Sequence, residues 1–237
     1  MNTLQEESID ALLSAGEEQE LFVRIAKIGA EMGFEHCAYG VRMPVPISRP
    51  SVALYSNYPT EWQRRYQECS YIDVDPTVRH AMRSTLPVVW SDRLFEPARA
   101  MWEEARAHGL SVGWAQASRD ASGGVGLLTL SRSAEPLNEA ELSKHRAKMA
   151  WLTHYAHAAM AKLLAPKLSP ETSVAVTARE KEVLRWTAEG KTAYEIAQIL
   201  SISERTICFH INNIVFKLGA SNKIHAAVKA ATLGMLF

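Results

Sequence analysis

The feature that most limits what this chain can fold into is a helical stripe near its C-terminal end. Ile207, Ile211, Ile214 and Leu218 are spaced i, i+4, i+7 and i+11, the signature of one buried helix face. At roughly 100° per residue, Arg205, Phe209, Asn212 and Phe216 fall on the opposite face, with Cys208 and Asn213 beside it. Ser203 stands at the N-cap position. Short helices surround this one. Thr177 with Glu180 three residues later forms a capping box, and Gly190 ends the helix that follows. Ile196, Ala197 and Leu200 share a face within 192–201, and Asn222 caps a fourth helix. Four short helices of this kind make either a plain bundle with a solvated polar face or a DNA reader. In a reader, Asn pairs with adenine, Arg contacts guanine or phosphate, and an apolar side chain meets a thymine methyl group.

Charge favours the second choice modestly. The chain is neutral over its 237 residues, but from Ala175 onward it carries 8 Lys+Arg against 5 Asp+Glu, and before that 18 against 21. The positive bias therefore lies where a polyanion would bind.

The run T-A-R-E-K-E-V-L, G-K-T, E-I-A, L-S-I-S-E-R-T and F-H-I-N-N-I followed by K-L-G resembles the DNA-binding region of the LuxR-type transcription regulators. Glu180, Leu184 and Gly190 match its characteristic positions. The resemblance spans about sixty residues, counted on the sequence. It implies that Arg205, Thr206, Asn212 and Lys217 contact DNA, with Lys191 and Thr192 on phosphate. Cys208 departs from the family, which often has a basic residue or Asn there.

The first 164 residues read as helices over 3–15 and 17–32, strands over 34–43 and 51–58, and a proline-rich loop over 43–50. Thr60 is expected to cap a helix to about Ser70, and Asp75 to cap another from Pro76 to about Ser84. A short extended piece at Val88–Trp90 and a helix over 99–108 follow. Strands at 112–119 and 125–133 flank the turn signal D-A-S-G-G, and a long helix covers 138–164. Along it, Leu142, Met149, Leu152, Ala156, Ala159 and Leu163 form a seam for the sheet or for a second subunit. The expected fold class is α+β: an α/β/α sandwich around an antiparallel sheet over 1–164, a linker over 165–176, and a four-helix helix-turn-helix domain over 177–237.

Tyr58, Trp62, Tyr66 and Asp75 make the most chemically loaded stretch before the linker. Three aromatics at i, i+4 and i+8 suit a core, and Asp75 before Pro76 suits a helix cap. Tyr and Trp nevertheless need polar partners when buried. The stretch, with its N-Y-P-x-x-W-x-x-x-Y and D-P elements, also resembles the autoinducer-binding domain of the same LuxR-type family. The resemblance implies a buried acyl-homoserine lactone. Trp62 would donate to the lactone carbonyl, Asp75 accept from the ligand amide, Tyr58 donate to the acyl carbonyl, and Thr129 add a hydroxyl. Tyr66, Trp90, Met101, Val125 and Leu127 would form walls, with Gly113 allowing close approach. The wider likeness to relatives that answer medium-chain signals implies an octanoyl chain. The function implied is a homodimeric, cytoplasmic regulator that binds a palindromic operator in quorum sensing. The alternative is the same regulator sensing a different small molecule.

Other classes fit poorly. Gly190-Lys191-Thr192 looks like the end of a phosphate-binding loop, but such a loop needs Gly where Arg185 stands. No nucleophile–base–acid order is present, so no catalytic residues are expected. Three scattered cysteines and eight dispersed histidines predict neither a disulfide framework nor a metal site, and fit a reducing compartment. His154 and His157 share helical spacing but have no further ligand in sight. A response regulator would need parallel strand–helix alternation. No signal peptide and no 18-residue apolar run for a membrane span is seen.

Overall fold

A computed structural model of the chain describes residues 3–236. Met1, Asn2 and Phe237 lie outside it. The chain divides into two compact units. Of the described residues, one comprises 3–42, 52–120 and 125–164; the other comprises 43–51, 121–124 and 165–236.

The first unit is built on five strands: β1 (His36–Arg42), β2 (Val52–Ser56), β3 (Val88–Val89), β4 (Val112–Arg119) and β5 (Val125–Arg132). Their order is β2-β1-β5-β4-β3, and every neighbouring pair is antiparallel. The strands alternate in and out with period two, so the register assigns each residue to a face. One face carries Tyr39, Val41, Trp114, Leu128 and Leu130. It packs on α2 (Glu18–Ala30) and on the long α7 (Glu139–Leu168). A Cβ at Gly29 of α2 would meet Leu130 at 2.9 Å, and one at Gly126 would meet the His157 ring at 2.3 Å, so these glycines let both helices lie close. α1 (Thr3–Leu13) packs on α2. The opposite face is covered by α3 (Thr60–Glu68), α4 (Pro76–Ala81), α5 (Asp92–Phe95) and α6 (Arg99–Ala107). The result is the expected sandwich.

Several local expectations shift. α3 begins at Thr60 rather than after it, because Pro59 takes the cap position and offers no side-chain bond. α7 continues past Ala165 and Pro166 to Leu168, so the first residues of the expected linker are helical, and Pro170–Ser173 then form a short 3-10 turn. Met149, Leu152, Ala156 and Ala159 of the α7 seam are buried within their own unit, while Leu142 and Leu163 are half-buried. The seam is thus spent on the sheet side. His157 is buried on the same side, with its Nδ1 2.8 Å from the Tyr39 hydroxyl. Among the described residues no three His, Cys, Asp or Glu gather as a metal cage, and no helix is long and apolar enough to cross a membrane.

In the second unit, α8 (Ala178–Ala188), α9 (Ala193–Leu200), α10 (Glu204–Lys217) and α11 (Lys223–Thr232) enclose a core of Val183, Leu184, Ile196, Ile207, Ile214, Leu218, Ala226 and Ala230. Each helix begins on a side chain that accepts a backbone N–H three residues on. The pairs are Thr177 with Glu180, Thr192 with Glu195, Ser203 with Thr206, and Asn222 with His225. Such caps satisfy donors that a helix start leaves open. Ser201, in the left-handed region at φ 53°, turns the chain from α9 toward α10.

Candidate functional site

The sheet face toward α3–α6 has a floor of small residues. Ala38 and Gly40 of β1, Gly113, Ala115 and Ala117 of β4 stand there opposite Leu127, Thr129 and Ser131 of β5. The other face at the same rows carries Tyr39, Leu128, Leu130 and Trp114. On β1 and β4 these floor positions are all alanine or glycine. The aromatic side chains of those helices close over one end.

That end is a cluster of Trp62, Tyr71, Phe95, Met101 and Trp102, with Tyr58, Tyr66 and Trp90 packed against it. Trp62 stacks on Tyr71 at a 5.8 Å centroid distance and meets Tyr66 edge-on at the same distance. Trp90 meets Phe95 and Trp102 edge-on at 5.7 and 5.9 Å. The Trp90 ring lies across Gly113, where any Cβ would come within 2.3 Å of it.

Asp75 is the buried carboxyl of the cluster. Its Oδ1 accepts from the Thr77 amide (2.8 Å) and the Thr77 hydroxyl (2.7 Å), and its Oδ2 accepts from the Tyr66 hydroxyl at 3.0 Å. Burial pushes its carboxyl above the usual carboxylate range, and the bonds from Thr77 and Tyr66 offset only part of this. The Val78 backbone N–H is a further donor to this carboxyl, so it sits in a dense set of hydrogen-bond donors. Asp75 is therefore both the cap of α4, as expected, and a polar group held in the aromatic cluster.

One further group of this site is buried without a hydrogen-bond partner, the Trp90 indole N–H. Ser131 lies beside the Tyr58 phenol, whose pKa burial drives up while the Ser131 hydroxyl pulls it down. An unpaired buried polar group costs about 1–3 kcal/mol, a cost that the Trp90 N–H carries at this end of the small-residue floor.

The structure thus brings Tyr58, Trp62, Tyr66, Asp75 and Trp90 together. Thr129 stands on the same sheet face as Ser131, one row further along, opposite Ala38 and Ala115. Met101 belongs to the aromatic end. Val125 and Leu127 belong to the far end, with Ala81, Met82 and Ala117. Ser131 and Thr77 were missed from sequence. Thr77 had a signal, since D-P-T places its hydroxyl and amide at the cap. Ser131 had only its alternation with Thr129.

On α10, Ile207, Ile214 and Leu218 are buried and Ile211 half-buried. Arg205, Cys208, Phe209 and Asn212 are exposed on the outer face, and Phe216 is 87% exposed. Thr192 is exposed but caps α9, while Lys191 and Thr206 are half-buried. Lys217 is not on the open face: its ammonium donates to Glu180 Oε2 at 2.8 Å and to the Ala175 carbonyl at 3.2 Å. Ala226, Ala227 and Ala230 of α11, and Leu233 just after it, are buried. Its outward side carries Ile224 and Val228, 68% and 40% exposed.

Two stretches of the chain match known families. Residues 17–160 match the family "Autoinducer binding domain", and residues 174–230 match "Bacterial regulatory proteins, luxR family". The chain is 47% identical over 231 residues to the transcriptional activator protein SolR of Ralstonia nicotianae, covering 98% of both chains. It is 38% identical to the HTH-type quorum-sensing regulator RhlR of Pseudomonas aeruginosa over 92% of this chain and 90% of that one. The crystal structure of Escherichia coli SdiA superposes with a TM-score of 0.87 at 34% identity, covering 99% and 98%. SdiA in complex with octanoyl-rac-glycerol superposes at 0.86, also at 34% identity, covering 99% and 96%. These relatives are transcription regulators rather than enzymes, and the chain belongs with them to the LuxR family: it is an autoinducer-binding transcriptional regulator with a luxR-type helix-turn-helix domain.

Proposed function

We propose that this regulator senses an N-acyl-homoserine lactone and, once loaded, binds a palindromic operator as a homodimer in quorum sensing, acting in the cytoplasm where that DNA is. The observation that carries the ligand reading is the pairing of a small-residue sheet floor with a buried polar and aromatic end: Asp75, Tyr58, Tyr66 and the unpaired Trp90 indole N–H. An acyl-homoserine lactone has an amide, two carbonyls and an apolar tail. It needs a mostly apolar pocket with a few placed polar groups. Asp75 accepts from the amide N–H, which takes the place of one of its present donors. Tyr58 and Ser131 donate to the acyl carbonyl, Trp62 donates to the lactone carbonyl, and Thr129 supplies a hydroxyl further along the floor. The tail lies over Gly40, Ala115 and Ala117 toward Leu127 and Met82, and an octanoyl chain is the first length to try.

Ligand binding stabilises the folded sensor unit by mass action, by about 2.7 kcal/mol at a hundredfold excess over Kd. The outward faces of α7 (Trp151, His154, Tyr155) and of α11 (Ile224, Val228) are the surfaces we assign to dimer contacts. Arg205 and Asn212 read base edges, and Lys191 and Thr192 approach phosphate. A two-fold dimer then matches half-sites about 34 Å apart along the duplex.

A second reading has one observation behind it: the SdiA complex holds an acylglycerol rather than a lactone. Expression with acyl-homoserine lactones of graded chain length, and separately with octanoyl glycerol, separates the two. A lactone-specific rise in soluble yield and melting temperature supports the first reading. Equal response to the glycerol ester supports the second, and mass spectrometry of small molecules extracted from the protein identifies what is bound.

A further inference from the structure

The outer face of α10 is unusual in what it lacks. Arg205, Phe209, Asn212 and Phe216 lie within about 60° of one another on the helix wheel, opposite the buried stripe. Of the two cations on this helix, only Arg205 is on that face, because Lys217 is held by Glu180 and the Ala175 carbonyl. Cys208 contributes no charge. Yet Phe209 is 60% exposed there, one turn after Arg205 and one turn before Asn212. A large apolar side chain standing between two base-pairing residue types, on the face a duplex would meet, needs an apolar partner in the major groove. Thymine presents the one methyl group of that groove.

We propose that Phe209 is a specificity-determining residue that reads the 5-methyl group of a thymine lying between the bases contacted by Arg205 and Asn212. The inference rests on the DNA-binding reading above. It separates Phe209 from Phe216, which lies two turns further along, about 10.5 Å toward the C-terminal end of the helix. The N-terminal part of a recognition helix is the part that reaches base edges.

The test uses the full chain expressed with N-octanoyl-homoserine lactone and an operator selected from a random duplex library. Deoxyuridine then replaces each thymine, one symmetric pair at a time, which removes only the methyl group. Wild type is expected to lose about fourfold in affinity per half-site at one pair, the worth of one buried methyl-sized group. Phe209→Ala abolishes that loss, whereas Phe209→Leu keeps part of it. Phe216→Ala leaves it intact. Phe209 is largely exposed, so circular dichroism of Phe209→Ala is expected to match wild type. If the operator is bound but no thymine shows the effect, or Phe209→Ala retains it, the proposal is overturned and the DNA-binding reading stands. If the loss moves to Phe216→Ala, the assignment to Phe209 is overturned. If no duplex is selected, the DNA-binding reading itself fails and the proposal goes with it.

Discussion

Lys217 Nζ stands 2.8 Å from Glu180 Oε2, joining the last residue of the helix-turn-helix reader to a buried carboxylate at the start of α8. The same Glu180 oxygen accepts the Thr177 amide at 2.8 Å, so one side chain closes the capping box and anchors α10. Burial works against its ionisation, but Lys217 and Thr177 outweigh it and hold the carboxyl below the ordinary glutamate range. A carboxyl depressed in the folded state contributes stability above its unfolded pKa and loses it as pH falls through the folded value. Glu180→Gln is therefore expected to destabilise the protein at pH 6–7 and to lose less on acidification below about pH 4.5. Lys217→Met leaves the buried carboxylate without its cation. Partial exposure of the lysine discounts the buried-pair cost to about 2 kcal/mol. Thermal unfolding between pH 7 and pH 3 checks both.

Asp75 has the opposite sign. Its folded pKa is raised, so ionising it costs folded-state stability as pH rises from the unfolded toward the folded value. Asp75→Asn is thus expected to leave the melting temperature of the ligand-free protein unchanged or higher at pH 7. It turns one of the two carboxyl oxygens into an NH2 donor that cannot accept from the ligand amide, at a cost of about 1–3 kcal/mol. The half-maximal lactone concentration should rise by at least tenfold in a ligand-dependent thermal shift assay. An unchanged dose response would refute the role given to Asp75.

Gly113 is expected to tolerate no side chain. A Cβ there meets three atoms of the Trp90 indole between 2.3 and 2.6 Å, so Gly113→Ala must displace that ring. The expected cost is about 1–3 kcal/mol, together with a changed tryptophan emission and weaker lactone response. Gly190→Ala makes a useful contrast. Nothing lies within 4 Å of the added methyl, but φ +83° strains it, so it should lower stability without altering ligand response.

Charging the outward face of α11 should separate dimer formation from ligand sensing. Ile224→Glu adds a charge at a well-exposed position. Surface changes of this kind usually shift stability by no more than about 0.5 kcal/mol, so lactone-dependent melting should persist while operator affinity falls by tenfold or more. Native mass spectrometry and an electrophoretic shift titration measure the two separately. Undiminished operator affinity would remove α11 from the proposed interface.

Much of this protein was legible locally. Thr177 with Glu180, Ser203 with Thr206 and Asn222 with His225 are contacts three residues apart, fixed by the geometry of a helix start. The α10 stripe is likewise a matter of period. The hairpin of β4 and β5 follows from two alternating runs around Asp120-Ala121-Ser122-Gly123-Gly124. The aromatic residues of α3 and the cap at Asp75 could be named because their spacing is short and their chemistry distinctive.

What lay beyond reach depends on residues far apart in the chain. Ser131 becomes part of the site only because β1 and β4 flank β5 in a register that puts it opposite His36 and Gly113. That Lys217 pairs with Glu180, 37 residues away, depends on folding to bring the two together. α11 has apolar residues on two sides, and only packing against α8 and α10 decided that Ala226 and Ala230 turn inward while Ile224 and Val228 stay out. The sequence by itself determined the helices, their caps, the strands and the family, since these rest on local periodicity and short motifs. Tertiary structure decided which polar groups are buried with a partner and which wait for one, because desolvation is set by neighbours that only the completed fold supplies.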